Sequence, residues 1–294
     1  MKTRKRTLYI VIYLVVFEVF IGVLEYFIGV RSFIPSVREA VAGQNPFGFN
    51  GLLYYSRVSG LSSNSSVFAI KIMVSLMMLQ FLGPRNKKEG FFLYGFLGVG
   101  LLLTFTRSVY VALAAFFLMI NYRRIIRAVI RFLRGKAKWI YFAVISIFIS
   151  GIIFLISKVD VLLQQMNRGM KKVDLSSRDS VFQRFSEFFW DNPWLGNGSY
   201  KLWIEINGKV FHAHNVFMQI MTTNGVLIGS MYFLMVLINI NRYNINYIIP
   251  ILIISLFQYA VFWGISFVDL FFFSFLFMTQ NPNFCKTNDS LKEA

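Results

Sequence analysis

Side chains that carry metal or thiol chemistry are scarce in this chain. Its 294 residues include one cysteine and two histidines. Cys285 has no partner for an intrachain disulfide, and His212 and His214 are too few for a zinc cluster, so no metal and no other cofactor is expected. Acidic residues are few as well, 13 against 30 Lys and Arg, which leaves a net charge of +17. An excess of that size can signal a nucleic-acid partner. Here charged residues of both signs make up only 15% of the chain, and the basic ones gather in short segments between apolar runs. Membrane insertion selects that pattern by itself, because Lys and Arg are retained in cytoplasmic loops. No nucleic-acid partner is expected.

Apolar surface is abundant: 56% of the residues are hydrophobic and 18% aromatic. A soluble domain has too little interior to hide so much, and a bilayer is the natural solvent. A spanning helix needs roughly 20 mostly apolar residues. Such stretches lie near 7–30, 66–83, 89–106, 108–121, 138–157, 214–240, 247–262 and 264–280. The third and fourth are split only by a tight hairpin at Thr106-Arg107-Ser108, and the last two near Trp263-Gly264. The expectation is an all-α, polytopic integral membrane protein of about eight transmembrane helices, a single membrane domain over 1–294.

Orientation follows from the short loops. Lys2, Arg4, Lys5 and Arg6 precede the first span, and Arg85, Lys87 and Lys88 follow the second. Arg123, Arg124, Arg127, Arg131, Arg134, Lys136 and Lys138 fill a loop after the fourth, where they are read as a topology anchor on anionic lipid. With eight spans all of these share one side with both termini, and the positive-inside rule makes that side cytoplasmic. The N-terminal run is too long for a signal peptide and contains Glu18, so it reads as an uncleaved anchor. Segments 31–65 and 158–213 remain outside, the second being a large extracytoplasmic loop. Within the spans, Glu18, Glu25, Lys71 and Asp269 are costly in hydrocarbon and should face polar partners, Glu18 with Lys71 being one pairing.

In the large loop, Ser176 or Ser177 can cap a helix that starts near Arg178 and ends at Asn192-Pro193. Val181, Phe182, Phe185, Phe188 and Phe189 recur at helical spacing. Arg178 then falls on the apolar side with Phe182 and Phe185, whereas Ser180, Arg184, Glu187 and Asp191 share the opposite, solvated face. A guanidinium held against apolar surface wants an anion, and its planar fork suits phosphate as well as a loop carboxylate. Pro193-Trp194-Leu195-Gly196-Asn197-Gly198 follows as a turn. His212-Ala213-His214-Asn215 comes directly before an apolar run that Asn224-Gly225 breaks, which puts His214 at the start of a short interfacial helix whose geometry His212, two residues earlier, need not share. An interfacial histidine serves as a packing residue or as a base. Arg107, in Leu103-Thr104-Phe105-Thr106-Arg107-Ser108, can snorkel to outer headgroups or join Arg178 and His214, which lie on the same side.

At these residues the chain resembles the O-antigen ligase and polysaccharide repeat-unit polymerase family of bacterial membrane glycosyltransferases. Four segments match in order over about 50–280. Arg57-Val58-Ser59-Gly60-Leu61-Ser62-Ser63-Asn64 is similar to the family's Arg–Gly–Asn segment before a span, and Thr104 to Ser108 to its Thr/Ser-Arg hairpin. Arg178 through Gly198 resembles its loop of Arg, a following aromatic, Pro and Gly-x-Gly. His214-Asn215 with Asn224-Gly225 resembles its His-Asn segment and Gly-led span. Members usually carry more spans than the eight read here.

The resemblance implies transfer of an undecaprenyl-pyrophosphate-linked oligosaccharide to an acceptor sugar hydroxyl at the outer face of the bacterial plasma membrane, without nucleotide sugar or metal. It assigns Arg107 and Arg178 to the pyrophosphate, His214 to acceptor activation, and Arg57 and Asn215 to substrate binding. Cationic side chains offset the charge of a pyrophosphate leaving group, and a neutral imidazole can take the acceptor's proton. The expected reaction is polymerisation of repeat units of a surface polysaccharide such as capsule, with membrane lipid and other polysaccharide-assembly membrane proteins as partners. Alternatives are a ligase moving the finished glycan to a lipid or protein acceptor, a polysaccharide transporter or lipid flippase, and a structural partner of a synthase complex. Transporters place polar groups and broken helices near the midplane, whereas here they gather on the outer side.

Overall fold

The computed structural model describes residues 2–28, 57–134, 178–198, 202–206, 209–258, 260–262 and 266–278, with the isolated positions 146 and 150. Eight helices and one small hairpin occur among the described residues: α1 (Lys2–Ile28), α2 (Ser65–Leu82), α3 (Lys87–Thr104), α4 (Arg107–Arg134), α5 (Arg178–Asp191), β1 (Ile204–Ile206), β2 (Lys209–Phe211), α6 (Val216–Asn239), α7 (Ile245–Ser255) and α8 (Phe267–Met278). Among the described residues, four stretches are long and apolar enough to cross a membrane: Arg6–Ile28, Ser65–Leu82, Arg107–Ile130 and Val216–Asn239. Of the expected stretch 138–157, all but positions 146 and 150 lie outside the described residues.

Several boundaries differ from the sequence reading. The turn between α3 and α4 is at Phe105-Thr106: Phe105 takes a left-handed conformation (φ 47°) and caps α3, and Arg107 is already helical. α4 continues to Arg134, so Arg123, Arg124 and Arg127 lie on a helix and not in a loop. Good helix formers such as Arg sustain it past the apolar run. The last two apolar helices have 11 and 12 residues among those described, and the fold is all-helical apart from the short antiparallel β1–β2 pair, in which Ile204 faces Phe211 and Ile206 faces Lys209.

The chain divides into two compact units, one comprising Met1–Val41, Arg57–Phe116 and Leu175–Ala294, the other Ala42–Ser56 and Phe117–Asp174. In the first, α1, α2 and α3 pack against one another, α8 touches α2, α6 and α7, and α5 lies on α6 and β1. Buried carboxylates hold α1 to the chain entering α2. Glu18 and Glu25, seven residues apart and so on one helix face, are 6% and 0% exposed. Glu25 accepts the backbone N–H groups of Ser59 (3.1 Å) and Gly60 (2.8 Å). Glu18 accepts Ser62 Oγ (2.5 Å) and pairs with Lys71 Nζ at 3.1 Å, as the sequence suggests. Asn64 then caps α2, its Oδ1 accepting Val67 N–H at 2.9 Å. Asp269 has a similar role at α8, accepting Phe262 N–H (2.6 Å) and Ser266 Oγ (2.5 Å). It closes a loop at the helix start, and its carboxylate is not exposed to hydrocarbon.

Aromatic contacts fix which helix ends lie together. Phe81, near the end of α2, meets Tyr247 at the start of α7 (5.7 Å) and Phe275 near the end of α8 (4.8 Å), and Phe116 of α4 meets Tyr247 at 5.6 Å. Asn244 Nδ2 reaches the carbonyls of Asn239 (2.9 Å) and Leu276 (3.4 Å) at the same end. This end therefore carries Arg85 in the α2–α3 turn, Lys87 and Lys88 at the start of α3, and Arg242 in the α6–α7 turn. The opposite end carries the starts of α2, α4 and α6.

Candidate functional site

α5, the hairpin and the start of α6 enclose a small apolar core. Val181, Phe185, Ile204 and Ala213 are buried, with Phe188, Leu202, Phe211 and Met218 packed around them. The buried face of α5 thus runs through 181, 185 and 188, whereas Phe182 is 52% exposed, in contrast to the sequence reading. Arg178 opens this helix, one turn before Val181 and two before Phe185. Arg184 lies on the solvated face as expected, paired with Glu187 at 2.7 Å. Ser176 and Ser177 lie outside the described residues.

The Pro193–Gly198 turn docks on a break in α6. Gly225 leaves helical geometry (φ 70°, ψ 176°), which frees backbone groups that hydrocarbon would leave unsatisfied. The turn satisfies them: Val226 N–H donates to Pro193 O (2.8 Å), while Asn197 and Gly198 N–H donate to Thr222 and Thr223 O, each at 3.1 Å. Asn197 Nδ2 adds bonds to Phe188 O (3.0 Å) and Thr222 O (2.9 Å). The two backbones approach so closely that a Cβ on Gly225 would sit 2.2 Å from Trp194 O, and one on Gly196 would sit 2.4 Å from Gly225 N. Both glycines also have positive φ. The Gly-x-Gly and Asn-Gly elements are thus two halves of one contact, 29 residues apart at their glycines (196 and 225).

His214 stands just before α6 with φ 50°, a left-handed backbone that costs a non-glycine residue about 1–3 kcal/mol and persists only where its surroundings enforce it. Asn215 caps the helix, its Oδ1 accepting Met218 N–H (3.1 Å) and its Nδ2 donating to Leu256 O (3.1 Å). Gln219, one turn on and 1% exposed, accepts Ala213 N–H (3.0 Å) and donates to Leu202 O (2.9 Å). His212 is not outside this arrangement. Its Nδ1 accepts the His214 N–H at 3.1 Å, the two rings lie 4.1 Å apart, and Trp203 meets His212 edge-on at 5.7 Å. Burial, and then the neighbouring His214, push the His212 pKa down to about 4. His212 therefore stays neutral near pH 7. The contacts of Gln219, Trp203 and His212 were missed by sequence reasoning; the His-x-His spacing was the one available signal.

Arg57 and Arg107 form the other group. Val58 N–H donates to Leu103 O (3.3 Å), which sets the Arg57 segment beside the α3–α4 turn, and Arg57 acts electrostatically on Tyr110, one turn beyond Arg107. Arg107 is the first residue of α4, where the helix dipole adds positive potential to the guanidinium. The two groups share one end of the array. Nine residues separate Arg107 from Phe116 and nine separate Tyr247 from Leu256, about 14 Å of helix in each case. Phe116 meets Tyr247, so Arg107 and Leu256, to which Asn215 is bonded, both lie towards the end opposite the basic turns.

Residues 91–234 match the family model described as O-antigen ligase. This region belongs to the O-antigen ligase family. The match covers just under half of the chain and takes in both the Arg107 turn and the His214 segment. No curated protein and no solved structure matches the chain. The family, with the apolar helices, makes this a multi-pass membrane protein of polysaccharide assembly, with the general character of a glycosyltransferase-type ligase or polymerase.

Proposed function

We propose that the chain transfers an oligosaccharide from undecaprenyl pyrophosphate to an acceptor sugar hydroxyl at the outer face of the plasma membrane, polymerising repeat units of a surface polysaccharide. The observation that carries this reading is the family match over 91–234, which includes Arg107 and Arg178, each the first residue of a helix, and His214 in an enforced backbone. His214 takes the acceptor proton as the hydroxyl attacks the anomeric carbon. The glycosidic bond to the pyrophosphate breaks, and the leaving group departs with its negative charge. Arg107 and Arg178 bind that charge with Arg57 as a third ligand, and Asn215 holds the helix start and contacts substrate. Arg is suited to this because it forks onto phosphate and stays protonated. No metal ion takes part in the proposed step. The basic turns at 83–88 and 240–244 lie on the cytoplasmic side with both termini.

Deleting the gene in its host and separating surface glycans on a gel tests the reaction. Accumulation of single repeat units supports the polymerase. Intact lipid-linked polymer that fails to reach its acceptor would indicate a ligase, and lipid-linked units trapped on the cytoplasmic face a flippase.

A further inference from the structure

We propose that His212 is a positioning residue for His214, holding the base's backbone in its left-handed conformation through an acceptor nitrogen rather than by ring packing. The inference rests on the reading of His214 as the base. Its grounds are geometric. His214 is the residue before the helix cap, where an unsupported chain would relax to an extended φ. Its N–H is directed at His212 Nδ1, 3.1 Å away, and the preceding peptide is held by Gln219 through Ala213 N–H. A Nδ1 that accepts must be unprotonated, so the neutral ring carries its proton on Nε2. Burial beside Trp203 and His214 favours this neutral form, with the pKa near 4, so the acceptor persists at the pH of the outer surface. Protonation at Nδ1 would turn an acceptor towards a donor and break the contact. The tilted contact of the two rings, 4.1 Å between centroids, then limits the direction in which the His214 imidazole can swing.

The test uses full-length protein reconstituted with lipid-linked oligosaccharide and compares His212→Phe, which keeps a ring but no acceptor, with His212→Asn, whose Oδ1 can take the place of Nδ1. His212→Phe should lower kcat about 10- to 100-fold with an unchanged KM for the lipid donor, and His212→Asn should recover most of the rate. His212→Phe at native rate overturns the proposal. So does equal loss in both variants, since the acceptor would then not be what matters. Membrane abundance and donor binding, measured on each variant, separate loss of protein from loss of position. His214→Asn serves as the control for the underlying reading. If it remains active the base assignment fails, whereas an inactive His214→Asn with a fully active His212→Phe removes only the positioning role.

Discussion

Arg178 and Arg184 occupy the same short helix at different registers. Arg184 is half exposed and bonded to Glu187, a surface i,i+3 pair worth a few tenths of a kcal/mol. Arg178 opens the helix on the register of the buried Val181 and Phe185. If Arg178 forks onto pyrophosphate, Lys supplies the charge without the bidentate geometry. Arg178→Lys should then lose most polymerising activity at normal membrane abundance, while Arg184→Lys stays close to native. Polymer length on gels, alongside blotting of membranes, checks this, and equal tolerance of both substitutions would remove the pyrophosphate role. Much of the local structure was legible at this level: His214 and Asn215 at a helix start, Glu18 with Lys71, and Arg184 on a solvated face all follow from spacing. Gln219 was not legible, because a buried amide bonded to two remote backbone groups looks in sequence like any polar residue in an apolar run. The contact of His212 with His214 was not legible for a related reason. Helical periodicity says nothing of residues just outside the helix, where the tie to His214 is a turn-like contact over two residues.

Among the elements, the contact between the Pro193–Gly198 turn and the Gly225 break is the most sensitive to a single methyl group. Gly225→Ala places Cβ against the Trp194 carbonyl in a backbone region that only glycine adopts readily. Gly198 also has positive φ (65°) but open space around it, so Gly198→Ala costs only the left-handed conformation, about 1 kcal/mol. Gly225→Ala should make the outer subdomain sensitive to protease added from outside and abolish activity, with Gly198→Ala mild in both respects. Glu18 and Lys71 offer a second test. Removing one partner of a largely buried pair costs on the order of 3 kcal/mol, whereas replacing both by apolar residues is often close to neutral. In detergent, Lys71→Met should lower the melting temperature more than Lys71→Met combined with Glu18→Leu, the remaining deficit coming from the unpaired Ser62 hydroxyl. Additive losses would mean that the pair is not coupled. The break at Asn224-Gly225 and the helix stop at Pro193 were readable from the sequence; their mutual docking was not, since backbone-to-backbone bonds leave no side-chain pattern beyond the glycines themselves. The β1–β2 hairpin escaped notice because each strand has only three residues, too few to show alternation.

For the molecule as a whole, the basic turns and the site lie at opposite ends of the helix array, and the proposed sidedness follows from that separation. With Cys285 replaced by Ser, a cysteine at Leu195, which is 70% exposed, should react with an impermeant thiol reagent on intact cells, and one at the exposed Lys88 should not. The reverse pattern would put the site on the cytoplasmic side, away from any donor presented outside. The central claim is chemical: a histidine-based, arginine-assisted transfer that needs only the lipid-linked donor and an acceptor. Its most direct measurement is turnover of purified protein in vesicles containing undecaprenyl-pyrophosphate-linked oligosaccharide, with no nucleotide sugar present, compared with His214→Asn. Asn tolerates the left-handed backbone, so the comparison isolates the imidazole from its conformation. The account predicts longer lipid-linked glycan from the native protein and a loss of about 10²–10⁴-fold in the variant, the range typical of a missing general base. Native-like turnover by His214→Asn, or product formed only when nucleotide sugar is added, would contradict it.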